Sequence, residues 1–305
     1  MSSSSEVAGS RLVGGKERKP TARVGIEIGG TFTDLVAFDG DRVVIVKVLT
    51  TPRALEQGTF DAISVAGLSL SGLSDFAHGS TVATNAILER KGERIAFVTT
   101  AGFRDLLYLQ RHDRRNIYDL NYRKPEPVVA RSACFEVAER ILADGTVLMP
   151  IDEEEVITSL IPALEAGAFP AVAICLLNSY ANPVHEERLA SLLRARLPRL
   201  AVTCSVEVVR EFREYERAST TALSAYVQPI IAEYLARLSR WLREGDFTGR
   251  FTVMQSNGGR LPAEAMEKSA ITALFSGPAA GVIGAARQAA RSGFRNLITC
   301  LLYTS

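Results

Sequence analysis

The sequence has little of what marks several large classes of protein. Its four cysteines stand far apart and form no CxxC pair, which argues against a zinc site or a disulfide framework. No apolar run has the roughly 20 residues that a membrane-spanning helix needs, and residues 1–22 lack the apolar core of a signal peptide. The formal net charge of +1 implies no general attraction to nucleic acid or to a membrane. We therefore expect a cytoplasmic protein with a disordered leader over residues 1–22.

What is present is the composition of an ordinary globular protein. Hydrophobic residues make up 47% and charged residues 23% of the 305 positions, a length sufficient for about two domains. Buried-type strands alternate with helical patterns between residues 94 and 204, which predicts an α/β domain. A long helical pattern follows from Val209 to about Arg243, and Pro229 is expected to kink or divide it.

Residues 24–40 read as a strand, a tight glycine turn and a second strand, and a third strand over residues 42–48 completes an antiparallel meander. Glycines allow a sharp bend, and successive N–H groups in such a turn can form an anion-binding concavity. Hydroxyls add donors, and a carboxylate can hold a metal that bridges phosphates. The candidate ligands are Gly29, Gly30, Thr31, Thr33, Glu27 and Asp34. An ordinary β-hairpin with a Gly-Gly turn is the alternative.

Three further stretches have both a functional and a structural interpretation. Gly-Ser-Thr after His78, and Ser-Gly-Pro at residues 276–278, each precede a helical pattern, so each predicts an anion site at a helix N-terminus or simple capping. His78 itself is either a catalyst or a hydrogen-bonded strand-end residue. The charged loop at residues 110–119 is either solvated or supplies arginines to an anionic group. The helix after Asn182 is expected to carry His185 on its exposed side.

Five motifs in order identify a family resemblance. They occupy residues 29–34, 78–85, 213–217, 254–259 and 276–281. Together they resemble the hydantoinase A/5-oxoprolinase family of the actin/hexokinase-type ATPase superfamily, from about Arg23 to Thr299. One departure concerns Glu27, where many relatives carry Asp, because the extra methylene moves the carboxylate by about one bond length.

The resemblance implies an α/β fold, namely an RNase H-like lobe with an N-terminal antiparallel β-meander and the incomplete start of a second lobe. The implied domains are residues 23–205, the N-terminal domain, and residues 206–299, the start of the second. After Thr299 the family continues with another phosphate-binding turn, whereas this chain reads Cys300 to Ser305 and stops. We therefore expect a truncated chain with a non-native tail at residues 300–305, inactive alone.

The implied activity is ATP- and Mg²⁺-dependent hydrolysis of a cyclic amide such as a hydantoin or 5-oxoproline, through a phosphorylated intermediate. The implied partner is a second subunit of the hydantoinase B type. One alternative is a subunit of an ATP-dependent ketone carboxylase, and another is a nucleotide-binding subunit without turnover. A sugar or acetate kinase is a further alternative that the motifs at residues 213–217 and 254–259 do not suggest.

The resemblance also implies roles for individual residues. The implied catalytic residues are Asp34, Glu27 and His78, with Glu27 and Asp34 also as ligands to Mg²⁺. The implied nucleotide- and phosphate-binding residues are Gly29, Gly30, Thr31, Thr33, Ser276, Gly277, Pro278 and Gly281. The implied substrate-side residues are Thr81, Thr84, Asn85, Arg111 and Asn257.

Overall fold

The computed structural model describes residues 21–51, 54–266 and 269–300. Apart from residues 21 and 22, the predicted leader lies outside the described residues, as do residues 301–305 of the predicted tail. Within the described ranges, no helix combines the length and the hydropathy that crossing a bilayer requires.

Twelve strands and ten α-helices are found in the described residues. The strands are β1 (Ala22–Ile28), β2 (Phe32–Asp39), β3 (Arg42–Leu49), β4 (Leu73–Ser80), β5 (Ala96–Thr100), β6 (Cys134–Val137), β7 (Arg140–Ile141), β8 (Val147–Met149), β9 (Ala171–Cys175), β10 (Ala201–Cys204), β11 (Arg250–Met254) and β12 (Arg260–Pro262). The α-helices are α1 (Leu55–Ala66), α2 (Val82–Leu88), α3 (Leu106–Leu109), α4 (Glu153–Glu155), α5 (Ile161–Gly167), α6 (Val184–Arg196), α7 (Ser205–Val208), α8 (Glu214–Glu244), α9 (Ala263–Met266) and α10 (Ser276–Arg291). A π-helical segment, Val156–Leu160, joins α4 to α5.

The first sheet has six strands in the order β12-β11-β4-β1-β2-β3. Strands β1 to β3 form the predicted antiparallel meander, while β4 lies parallel to β1 and β11 lies parallel to β4. Side chains alternate between the two faces of the sheet along β1, so that Val24, Ile26 and Ile28 are buried on one face, as expected for a strand with one face toward the core. We call this the inner face of the sheet, and the opposite one, which carries Glu27 and Asp34, the outer face.

The second sheet has four parallel strands in the order β10-β9-β5-β6. All residues of β5 and β9 are buried, as is typical of parallel strands with both faces covered. Cys175 and Cys204 are buried here, and burial raises the pKa of Cys175 to about 12. This sheet confirms the α/β class.

Helix α8 links the two sheets. It continues through Pro229, packs against β9 and β10, and stacks Trp241 on Phe60 of α1 at 4.2 Å between ring centroids. It begins at Glu214, five residues later than the sequence predicts, and the separate short helix α7 precedes it at residues 205–208.

The predicted boundary between residues 205 and 206 falls just after β10. Strand β11 comes from the second predicted domain and hydrogen-bonds to β4 of the first. Residues 206–299 thus contribute strands to the first sheet. Long-range strand pairing of this kind leaves no local signal in the sequence.

His185 is buried, which corrects the prediction of an exposed side chain. Its Nδ1 lies 2.6 Å from Oε2 of Glu139, and only 5% of His185 and 0% of Glu139 are exposed. Glu139 also accepts a hydrogen bond from Thr100. The first turn of α6 is therefore held to the end of β5 by a buried polar chain, which helical periodicity alone does not show.

Candidate functional site

The candidate site lies on the outer face of the first sheet, where β1, β2 and β4 meet. Glu27 of β1 pairs with Asp34 of β2 and with Gly79 of β4. Directly opposed residues of neighbouring strands lie on the same face, so the structure brings together the two carboxylates that the sequence singled out.

The Glu27 carboxylate occupies a gap between two glycines. A Cβ on Gly79 would lie 1.7 Å from Glu27 Oε2, and a Cβ on Gly277 would lie 3.1 Å from Oε1. Burial, together with the nearby Asp34 charge, raises the pKa of Glu27 to about 7, because both effects disfavour the ionised carboxylate. No hydrogen bond to the Glu27 carboxylate is made within the described residues. Its oxygens are thus available to a ligand.

Asp34 is paired with Lys47 of β3. Lys47 Nζ lies 2.6 Å from Asp34 Oδ1, and both side chains are about half exposed. The ammonium also lies 4.8 Å from the centroid of the Phe32 ring, within the range of a cation–π contact. Lys47 therefore places a positive charge beside the glycine turn.

The turn after β1 is held by hydrogen bonds on one side and is open on the other. The Gly29 N–H donates to the Phe32 carbonyl, the Thr50 hydroxyl donates to the Gly29 carbonyl, and the Thr50 N–H donates to the Thr31 carbonyl. A Cβ on Gly30 would meet open space. The backbone at Gly30 and Thr31 is exposed, as a phosphate-binding turn requires.

Thr33 does not face the open side of this turn. It is fully buried, its hydroxyl lies 3.0 Å from that of Thr50, and it packs against Gly58 of α1. The prediction that Thr33 adds a donor to a ligand is therefore wrong. Thr33 is on the inner face because β2 turns successive side chains to opposite faces.

The N-terminus of α10 approaches the site from the other side. Gly277 contacts Glu27 as described, and the hydroxyl of Ser276 is buried with no hydrogen-bond partner in the described chain. Phe275 precedes the helix in a left-handed conformation with φ 55°, which is rare for a bulky residue and occurs at functional sites. Pro278 lies in the first turn, and Gly281 lies four residues after Gly277 on the same face.

Three predicted substrate-side residues, which lie in α2 and just before it, connect β1 to the start of α10. The Thr81 hydroxyl donates to the Ile28 carbonyl, and the Asn85 amide donates to the Thr81 hydroxyl. The Phe275 N–H donates to the Thr84 hydroxyl at 3.3 Å. Their hydrogen bonds thus fix the end of β1 and the start of α10.

The other predicted residues lie elsewhere. His78 is fully buried on the inner face, where its Nε2 lies 2.6 Å from Tyr234 Oη of α8 and burial lowers its pKa to about 4. Asn257 accepts a hydrogen bond from the Gly259 N–H within its own turn. Arg111 lies 2.5 Å from Glu216 at a separate cavity. The structure gives His78 the structural role that the sequence left as an alternative.

Sequence reasoning missed Lys47 and the contact of Gly79 with Glu27. The signal for Lys47 was present, because the turn at residues 40–41 pairs Asp39 with Arg42, and counting back along both strands places Asp34 opposite Lys47. No such count finds Gly79, since β1 and β4 are joined by a long crossover.

Two family models match the chain. Residues 23–197 match the "Hydantoinase/oxoprolinase N-terminal region" and residues 217–300 match "Hydantoinase/oxoprolinase". The acetophenone carboxylase gamma subunit of Aromatoleum aromaticum is 34% identical, over 90% of this chain and 40% of that protein. The caprolactamase subunit alpha of Pseudomonas jessenii is 32% identical, over 92% of this chain and 42% of that protein.

A solved structure has the same fold. The crystal structure of the ATP-dependent caprolactamase from Pseudomonas jessenii superposes with a TM-score of 0.80 at 31% identity, covering 89% of this chain and 41% of that one. The present chain thus spans about two fifths of the length of these relatives.

Proposed function

Because the chain belongs to the hydantoinase/oxoprolinase family, we propose that it forms the nucleotide-binding part of an ATP-dependent enzyme that opens a cyclic amide. The observation that supports this most is the convergence of three features on one spot. These are the Glu27 carboxylate, the exposed turn at Gly30 and Thr31, and the N-terminus of α10.

The geometry suits phosphoryl transfer, in which the protein mainly positions groups and neutralises charge. Backbone N–H groups of Gly30 and Thr31 and the positive end of α10 would contact phosphate oxygens. Lys47 would add a cation to the same anion.

The strand order supports the RNase H-like lobe that the resemblance implies. The observation behind this proposal is the order β3-β2-β1-β4-β11, in which β2 is antiparallel to the other strands. We assign ATP to the edge where β1 and β2 turn, since that edge carries the open turn.

Mg²⁺ fits the donor set at this edge. Magnesium is commonly held by one or two carboxylates together with substrate phosphates, and Glu27 and Asp34 provide two on the same face. When bound, the ion would neutralise phosphate charge. Asp34 must then exchange its bond to Lys47 for the ion, so Glu27 is the more available ligand.

In the proposed reaction the amide oxygen takes a phosphoryl group from ATP. Water then adds to the activated carbon, and the ring C–N bond breaks to give an amine and an acyl phosphate. A second water cleaves the acyl phosphate to a carboxylate and phosphate. For a lactam, the products are ADP, phosphate and an open chain that carries an amine and a carboxylate. We place this activity in the cytoplasm and expect a second subunit of the hydantoinase B type, since two relatives are themselves named as subunits.

A carboxylase is the second candidate, because one relative at 34% identity is an acetophenone carboxylase subunit. ATP hydrolysis by the whole protein that contains this chain, with its partner, separates the candidates. Stimulation by 5-oxoproline, hydantoin or caprolactam supports the cyclic-amide hydrolase, and stimulation by a ketone with bicarbonate supports the carboxylase. ATP binding with neither stimulation indicates a nucleotide-binding subunit without turnover.

Binding of ATP is tested by calorimetry on the whole protein that contains this chain. We expect Asp34→Ala and Glu27→Gln to weaken binding of ATP with Mg²⁺ about tenfold, since each removes a charged contact. Glu89→Gln is the matched control, because it only breaks an exposed ion pair with Lys91. Absence of ATP binding to the unmodified whole protein would contradict all three functions.

A further inference from the structure

A large cavity lies away from the Glu27 site, beside the second sheet. Its volume is about 980 Å³, and its walls come from residues 102–106 and 109–112 after β5, from β6 and its approach, and from residues 213–216 at the start of α8. Neither Glu27 nor any residue of α2 lines it.

The position of this cavity is one where α/β proteins bind ligands. Gly102 and Phe103 follow directly after β5, so the cavity lies outside the carboxyl end of that strand. In the second sheet, β6 lies on one side of β5 and β9 lies on the other. The chain runs from β5 to β6, whereas from β9 it runs to β10, which lies farther from β5. The strand order therefore reverses between β5 and β9, and the cavity lies on the β5 side of that reversal, close to where a parallel sheet usually binds ligands.

The cavity wall carries four arginines and four carboxylates, of which half are paired with each other. Arg131 donates two hydrogen bonds to Asp105, at 2.6 and 2.9 Å, and Arg111 lies 2.5 Å from Glu216. These pairs give the wall a fixed shape, since bidentate arginine–carboxylate contacts are geometrically specific.

The remaining charges have no ion-pair partner in the described residues. Arg104 and Arg213 form no salt bridge there. The Arg104 Nη2 donates to the Arg131 carbonyl at 3.4 Å, whereas its Nε is buried without a hydrogen-bond partner. Glu136 accepts one hydrogen bond from the Gly102 N–H, and Glu214 accepts none from a described side chain. Two positive and two negative groups thus line one cavity without a salt bridge in the described residues.

We propose that this cavity binds a small zwitterion that carries one carboxylate and one ammonium group. Guanidinium groups at Arg104 and Arg213 suit the carboxylate, since their planar fork matches its two oxygens. The carboxylates of Glu136 and Glu214 suit the ammonium. A ligand with one charge alone leaves the opposite pair of wall charges unmatched.

The role that we assign to this site rests on the proposed function, whereas binding of a zwitterion to the cavity is tested independently of it. Hydrolysis of a lactam yields an amine and a carboxylate on one molecule, whereas carboxylation of a ketone adds a carboxylate and no amine. A zwitterion site therefore corresponds to the ring-opened product of a lactam. Binding of a zwitterion in this cavity therefore favours the cyclic-amide hydrolase over the ketone carboxylase.

The test measures binding to the 305-residue chain by calorimetry, without ATP. The probes are 6-aminohexanoate, hexanoate and hexylamine, which share one carbon skeleton and differ in charge. We expect 6-aminohexanoate to bind at least about tenfold more tightly than either singly charged probe, because it gains two charged contacts. Equal binding of hexanoate, or no binding of 6-aminohexanoate at millimolar concentration, overturns the proposal.

Variants at two exposed positions locate the site. Arg213→Met and Glu214→Gln are expected to weaken 6-aminohexanoate binding about tenfold each, and Arg213→Met also removes the preference over hexylamine. Arg188→Met is the matched control, since that arginine pairs with Glu153 outside the cavity. Unchanged binding in both variants, with unchanged melting temperature, overturns the assignment. Loss of ATP-dependent turnover in the whole protein does not bear on this result.

Discussion

The carboxylate of Glu27 occupies the space that a side chain on Gly79 would fill. The two residues are cross-strand partners in β1 and β4, and a Cβ on Gly79 would lie 1.7 Å from Glu27 Oε2. The Glu27 side chain thus fits here because Gly79, which lies opposite it, has no side chain.

Gly79→Ala is expected to displace the Glu27 carboxylate. Because the contact involves the end of a flexible side chain, the free energy of unfolding should fall by only about 1 kcal/mol. Binding of ATP with Mg²⁺ should weaken at least about tenfold, as measured by calorimetry.

Gly72→Ala is the control, because a Cβ there meets nothing within 4 Å. Unchanged ATP binding in Gly79→Ala would show that the position of the Glu27 carboxylate is unimportant to the nucleotide.

The pKa of Glu27 predicts a pH-dependent stability difference. Since its pKa in the folded protein is raised to about 7, folding favours the protonated form, and this contribution is lost as the pH rises from the unfolded value near 4.5 to about 7. Relative to the wild type, Glu27→Gln should gain on the order of 2–3 kcal/mol of stability between pH 4.5 and pH 8.

Urea unfolding at several pH values measures this difference, with Glu89→Gln as the exposed control. A constant difference across the pH range would mean that Glu27 titrates as an ordinary carboxyl group.

Lys47→Met tests the third charge of the site. The Lys47–Asp34 pair is about half exposed, so its loss should lower the free energy of unfolding by less than about 1 kcal/mol. If Lys47 contacts the nucleotide, the Kd for ATP should rise about tenfold, because a charge-assisted hydrogen bond is lost.

Lys91→Met removes a comparable exposed pair with Glu89 and should leave ATP binding unchanged. Equal effects of the two substitutions on ATP binding would exclude a specific role for Lys47.

Tyr234→Phe tests the structural role of His78. The substitution leaves the buried His78 Nε2 without the partner that now lies at 2.6 Å, which should cost about 1–3 kcal/mol. Thermal or urea unfolding measures this loss, and ATP binding should remain.

Tyr118→Phe, at a side chain that is 96% exposed, should change neither property. A Tyr234→Phe variant of normal stability that no longer binds ATP would point to a functional His78 instead.

The sequence by itself determined the family, the α/β class and the local elements of the first sheet. Alternating apolar residues in β1 and β2 and the glycine turn between them are local, so periodicity and turn chemistry predict them. The same local rules pair Asp34 with Lys47, since both lie a fixed count from the turn after Asp39.

Only the tertiary structure decided what each candidate residue faces. Thr33 and His78 point into the core, Glu27 lies over Gly79 and against Gly277, and β11 joins a sheet begun more than 200 residues earlier. These relationships depend on parallel pairing across long crossovers and on the packing of α8 and α10. Such contacts form between residues distant in the chain, so no pattern within a short window of sequence specifies them.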